Sequence, residues 1–219
     1  MRSSGGEMEL ITDGNQPWRP AFPLGTHGRK LWVTTRAVNK VMATFTRQDI
    51  EEGLRRLGEI AQAKSLRIEL TLVGGAVMTL RFNARPSTRD VDAVILLPRE
   101  VRLVREMARQ VAEERDWPED WLNDGAKGYL VGISNGPIIF QAPGIEARAP
   151  SMEQLLAMKL SAWRDDVDIS DARRLLQEVA GGQKQEDVWN SLEPYLVKGD
   201  ELTAQYAFWD LWESLYGTD

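Results

Sequence analysis

The sequence predicts an α+β fold, with a mixed β-sheet and flanking helices to about residue 150 and a helical C-terminal half beyond it. Three observations carry that expectation. LRIELTLV (66–73) and DVDAVILL (90–97) have strand patterning. Apolar residues at three- and four-residue steps mark helices around them. From Ser151 onward almost every stretch reads as helix. At 219 residues the chain has room for one large or two small domains. Composition divides it into an irregular N-terminal arm (1–45), an α/β core (46–150) and a helical C-terminal domain (151–219).

In order along the chain, residues 1–30 are rich in Gly and Pro, show little periodicity and read as an irregular lead-in. Thr46 can cap a first helix, on which Ile50, Leu54, Leu57 and Ile60 form one apolar stripe. Ile68, Leu70 and Leu72 then alternate with Arg67, Glu69 and Thr71, as in a strand with one buried face. Gly74 and Gly75 break the strand, and AVMTLRF has the length for a helix of about two turns. Asp90 to Leu97 makes a second strand, and its aliphatic run (Val91, Val94, Ile95, Leu96, Leu97) suggests a central, well-covered position. Pro98 starts a long helix with Val101, Val104, Met107, Ala108 and Val111 inward.

WPEDWLNDGAKG (117–128) reads as a helical turn and loop. Tyr129–Ile133 and Pro137–Gln141 read as a strand or a hairpin around Ser134-Asn135-Gly136, and Ile145–Ala149 as an extension of the sheet. Helices follow over 151–164, 169–180, 185–197 and 200–216, with Ser151 and Gln154 as a capping box and Gly181-Gly182 as a stop. In FWDLWESLY, Phe208, Trp209, Trp212 and Leu215 fall on one side of the last helix, either as core or as a partner surface.

Composition removes several function classes. Without cysteine there is no disulfide scaffold, thiolate nucleophile or Cys-based zinc site. The single histidine, His27, excludes a His-rich metal centre and reads as a solvated loop residue. A net charge of −6 argues against broad, sequence-independent binding to nucleic acid, although Arg85, Arg89 and Lys127 leave room for a local basic groove. No apolar stretch is long enough to span a bilayer, and the N-terminus lacks the apolar core of a signal peptide. A cytoplasmic protein with no membrane partner is the expectation.

The segment TLVGGAVMTLRFNARPSTRDVDAVILL (71–97) concentrates the chemistry. Asp90 and Asp92, one residue apart on a strand, project from the same face with backbones roughly 6.5–7 Å apart. A shared divalent cation neutralises their repulsion. The Gly74-Gly75 pair offers backbone N–H groups and a bare surface to phosphates. The structural alternative is that Arg85 and Arg89 pair the two acids in a fold-stabilising cluster.

LVGGAVMTLRFNARPSTRDVDAVILL resembles the active-site segment of the nucleotidyltransferase (polymerase-β-like) superfamily, whose pattern is a hydrophobic residue and Gly-Gly or Gly-Ser, a gap of about a dozen residues, then Asp-hydrophobic-Asp. The form Arg85-Pro-Ser-Thr88-Arg-Asp90-Val-Asp92 is similar to that of small bacterial AbiEii-like toxins of toxin–antitoxin and abortive-infection systems. The later LLAMKLSAWRDDVDISD (155–171) resembles the helix these proteins place after the catalytic sheet. The resemblance implies a nucleotidyltransferase-like sheet. It implies transfer of an NMP from an NTP with Mg²⁺ or Mn²⁺ at Asp90 and Asp92. Phosphate would be seated at Gly74-Gly75, with Thr88, Arg89 and Lys159 as further nucleotide contacts. It also implies a third carboxylate from a neighbouring strand, and Glu146 is the sole acid between Pro137 and Ala149. Lys159 is expected to serve phosphate or the leaving pyrophosphate, or to be an exposed helix lysine. Arg164, Asp165, Asp166, Asp168 and Asp171 read as a solvated turn with Asp168 or Ser170 as cap, while the resemblance raises Asp168 as a site residue.

Two classes of function follow. One is a metal-dependent nucleotidyltransferase acting on tRNA or a protein hydroxyl, the toxin partner of a small cognate antitoxin, with a small cationic drug as a further acceptor class. The other is a catalytically decayed nucleotidyltransferase-fold module that binds or regulates a partner.

Overall fold

Thr46 starts α1 (Arg47–Ala63) because its hydroxyl and the Asp49 side chain satisfy each other's backbone N–H groups, a reciprocal cap. The computed structural model describes residues 43–163 and 166–217, so His27, nearly all of the expected arm, Arg164 and Asp165 lie outside the described residues. Among the described residues there are seven α-helices and a mixed sheet of five strands. Strand β1 (Phe45–Thr46) pairs with β3 (Ser87–Thr88) separately.

The sheet runs in the order β5 (Leu122–Asn123), β4 (Val91–Leu97), β2 (Ile68–Leu72), β7 (Ile145–Arg148), β6 (Ile138–Ala142). β2 is antiparallel to β4 and parallel to β7, so the end of β2 and the start of β4 meet at one edge of the sheet. Leu70, Leu72, Ala93 and Ala147 share the inner face, where α1 and α3 (Val101–Arg115) cover them. Asp92, Thr71 and Glu146 share the other face.

β4 is covered only where it starts: Val91 and Ala93 are buried, but Leu96 is 37% and Leu97 42% exposed. The cause is the brevity of β5, which pairs only with Val91 and Asp92 and leaves the rest of β4 as an edge. The hairpin forms between β6 and β7 around Pro143-Gly144, not around 134–136. Gly144, at φ +77°, supplies the left-handed residue that this turn requires. Ser134 instead bonds the helical half. Gln154 accepts from the Ser134 amide and hydroxyl at 2.8 and 2.6 Å and donates to the Val131 and Gly132 carbonyls at 3.0 and 3.1 Å.

The helical half comprises α4 (Met152–Ala162), α5 (Asp166–Ala180), α6 (Gln185–Leu192) and α7 (Glu201–Tyr216), with α4 packed against all three others. Ser151 caps α4 by accepting from the Gln154 amide. α5 starts at Asp166 rather than 169, which puts Asp168 inside the helix. Glycines 181 and 182, at φ +47° and +84°, follow it. In α7 Phe208 is fully buried, whereas Trp209 is 44% exposed, because adjacent helical residues diverge by about 100°. No described helix is long and apolar enough to cross a membrane.

Candidate active site

Asp90 and Asp92 stand at the mouth of β4, gripped from both sides. The Val91 N–H donates to the Trp121 carbonyl at 2.8 Å, and the Val73 N–H to the Asp92 carbonyl at 2.9 Å. Trp121 is itself fixed. It is buried with Phe45 and Trp117 in edge and tilted ring contacts, and its indole N–H donates to Ala108 at 2.9 Å. β5 therefore begins at a set position, and Asn123 reaches Asp90 at 3.5 Å.

The glycine pair opens α2 (Gly74–Leu80) and takes its meaning from its neighbours. Gly74 has φ +59°, and a Cβ there would lie 3.0 Å from Asp92 Oδ2. A Cβ on Gly75 would collide with the Thr88 side chain, whose own Cβ would be 2.9 Å away. Asp92 Oδ1 accepts from the Ala126 N–H at 3.2 Å, which ties it to a 3₁₀ turn, Gly125–Tyr129.

Both acids are half-buried, and both line a cavity of about 830 Å³. Gly74, Gly75, Thr88 and Arg89 line it too, so six of the eight predicted site residues converge on the sheet side. Such a volume suits a nucleotide-sized ligand.

The opposite wall is built by α4 and α5. Lys159 is neither exposed nor a loose phosphate hook: its side chain is 12% exposed and donates to Asp168 Oδ1 at 2.8 Å and Asp171 Oδ2 at 2.7 Å. Arg85 donates to the same Asp171 oxygen at 2.8 Å, which ties the segment before β3 to α5. Asp168 and Asp171 are buried, which replaces the expected solvated turn. Sequence reasoning missed this cluster as a unit, since its members come from three separated segments.

Glu146 is not brought to the pair. It shares the face of Asp92 but lies level with Glu69, four residues down β2 from Val73. That is about 13 Å along the strands and about 10 Å across two of them. Arg67 and Arg148 hold it there at 3.2 and 2.8 Å. Lys127, expected to contribute to a basic groove, is instead paired with Asp124 at 2.5 Å. That bond, with Arg105 nearby, holds the Asp124 carboxyl below its usual range.

Among the described residues, five carboxylates (Asp90, Asp92, Asp166, Asp168, Asp171) and three cations (Arg85, Arg89, Lys159) line the cavity. Lys159 and Arg85 match the buried aspartates, which leaves Asp90 and Asp92 at β4 and Asp166 at the start of α5 against Arg89. Among the described residues no group of three His, Cys, Asp or Glu side chains could cage a metal ion. Two carboxylates on one cavity, one of them with a glycine rather than a side chain beside it, are a donor set of the kind Mg²⁺ or Mn²⁺ accepts. Magnesium is commonly held by one or two carboxylates together with substrate phosphates.

The sequence matches no protein-family model and no curated protein. The likeness to nucleotidyltransferases rests on the motifs.

Proposed function

We propose that this chain is a metal-dependent nucleotidyltransferase of the polymerase-β-like superfamily that moves an NMP from an NTP to a hydroxyl on tRNA or protein, as the toxin of a toxin–antitoxin pair. The observation that carries this reading is the convergence of Asp90 and Asp92 with Gly74 and Gly75 on one nucleotide-sized cavity. The toxin assignment draws on the resemblance of residues 85–92 and 155–171.

In the reaction, the acceptor oxygen bonds to the α-phosphorus, the bond from that phosphorus to the bridging oxygen breaks, and pyrophosphate leaves. The acceptor's proton goes to solvent or to a carboxylate of the pair. When bound at Asp90 and Asp92, Mg²⁺ or Mn²⁺ supplies the positive charge that offsets the triphosphate and lowers the pKa of the acceptor hydroxyl. Gly74 leaves backbone open to the phosphates, Gly75 lets Thr88 pack close behind it, and Arg89 lines the same cavity. Lys159, fixed by Asp168 and Asp171, holds the opposite wall in place across the cavity from the pair. α4 and α5 form the wall of the cavity that faces the acid pair.

The test is incubation with each labelled NTP, Mg²⁺ and total tRNA or lysate. Transfer is expected from the wild type and lost in Asp90→Ala/Asp92→Ala. Label transfer that persists in the double variant would remove the pair from its role.

One observation favours the decayed-module reading: among the described residues, no third acid completes a metal cage beside the pair. Titration separates the two readings, because a scaffold binds NTP without dependence on Mg²⁺, or not at all.

A further inference from the structure

A nucleoside triphosphate has two unlike ends, and the cavity described above has been matched to one of them. The β4 mouth suits the anionic tail. The base is flat and weakly polar, and sites that accept it offer a flat apolar face.

Tyr129 is the one aromatic residue among the described residues that line the cavity. It ends the 3₁₀ turn whose Ala126 N–H is bonded to Asp92 Oδ1. Three residues of such a turn advance about 6 Å, so the ring is carried roughly one turn away from the acid pair. The same turn packs against α4, which presents Leu155 and Met158 to the cavity. A methionine thioether is polarizable and adapts to a flat ring. Tyr129 is half-buried at the cavity rim, and no residue of the turn is fully buried.

We infer that Tyr129 and Met158 form the slot that takes the base of the nucleotide, Tyr129 by stacking and Met158 from the α4 side. This rests on the nucleotidyl-transfer reading and adds to it the part of the substrate that Asp90 and Asp92 do not touch. Stacking serves every base, so the slot favours purines by ring area and does not select one base by hydrogen bonding.

Two ligands tell the parts of the site apart: Mg·ATP, which has a base, and Mg·tripolyphosphate, which has none. Isothermal titration calorimetry of the full chain is carried out with wild type, Tyr129→Phe, Tyr129→Ala and Met158→Ala. Tyr129→Ala is expected to weaken Mg·ATP by about 5- to 100-fold, the range of one lost base–aromatic stack, and to leave tripolyphosphate within about twofold. Tyr129→Phe keeps the ring and retains wild-type affinity, and Met158→Ala weakens ATP alone by a smaller factor.

Equal loss of both ligands in Tyr129→Ala would overturn the slot, as would unchanged ATP affinity, or a Tyr129→Phe protein as weak as Tyr129→Ala. Those results leave the enzymatic reading standing. A wild type that binds neither ligand removes both. Matching melting temperatures among the variants show that the fold is intact.

Discussion

The two walls of the cavity hold their charges in opposite ways. On the strand wall Asp90 and Asp92 are near neighbours in sequence, half-buried, with the backbone of β2, β5 and a 3₁₀ turn fixing their positions. On the helical wall Arg85, Lys159, Asp168 and Asp171 come from three segments and fix one another at 2.7–2.8 Å, with the aspartates buried. The first wall can change its charge without disturbing the fold. The second cannot, because a buried charge that loses its partner is costly. Charge is thus available to a ligand on one side and committed to the architecture on the other.

The sharpest way to break this contrast is to remove one acid from each wall. Asp171→Ala strands Arg85 and leaves Lys159 with Asp168 as its remaining partner, and it is expected to lower stability in urea denaturation by about 3–5 kcal/mol. Asp92→Asn should stay within about 0.5 kcal/mol of wild type, as expected of a half-buried position whose charge repels its neighbour. Equal costs for the two variants would erase the distinction.

A smaller effect tests how the helical wall is joined to the sheet side. Gln154 is fully buried and bonds the 131–134 segment through both ends of its amide. Gln154→Ala leaves those groups short of partners and is expected to cost about 1–3 kcal/mol. Hydrogen exchange at the Ser134 amide should accelerate with it, and an unchanged rate there would show that the segment holds without this link.

The smallest effect lies outside both walls. Arg56 bonds Glu114 at 2.7 Å between α1 and α3 and, with Gln110, lowers the Glu114 carboxyl from 4.5 to about 2. Since the folded value is depressed, the pair's contribution is complete above about pH 4.5 and fades as pH falls toward 2. Melting temperatures of wild type and Glu114→Gln should therefore differ slightly at neutral pH and converge near pH 2. Both side chains are about one-third exposed, which keeps the difference small.

The strand wall was legible in the sequence because its information is local. Alternation gave β2 and the start of β4, the Asp-Val-Asp spacing put two acids on one face, and Thr46 and Ser151 marked helix starts. The helical wall was not legible as a unit. Which aspartate meets Lys159, and that Arg85 joins them, depends on how α4 and α5 pack against the segment between α2 and β3. Glu146 had the right face and the wrong depth, a matter of register between β2 and β7 that its own segment does not encode. The exposure of Leu96 and Leu97 depends on how short β5 is, and Tyr129 had no periodic signal.

Asp92 spends one carboxylate oxygen on the Ala126 amide, and the other lies beside Gly74. A ligand that reaches this second oxygen meets bare backbone at position 74 rather than a side chain. A methyl group at position 74 would sit in that approach, on a backbone angle it does not favour, and would mute the acid while leaving every charge in the protein unchanged. The direction of approach is set by an atom that the chain leaves out.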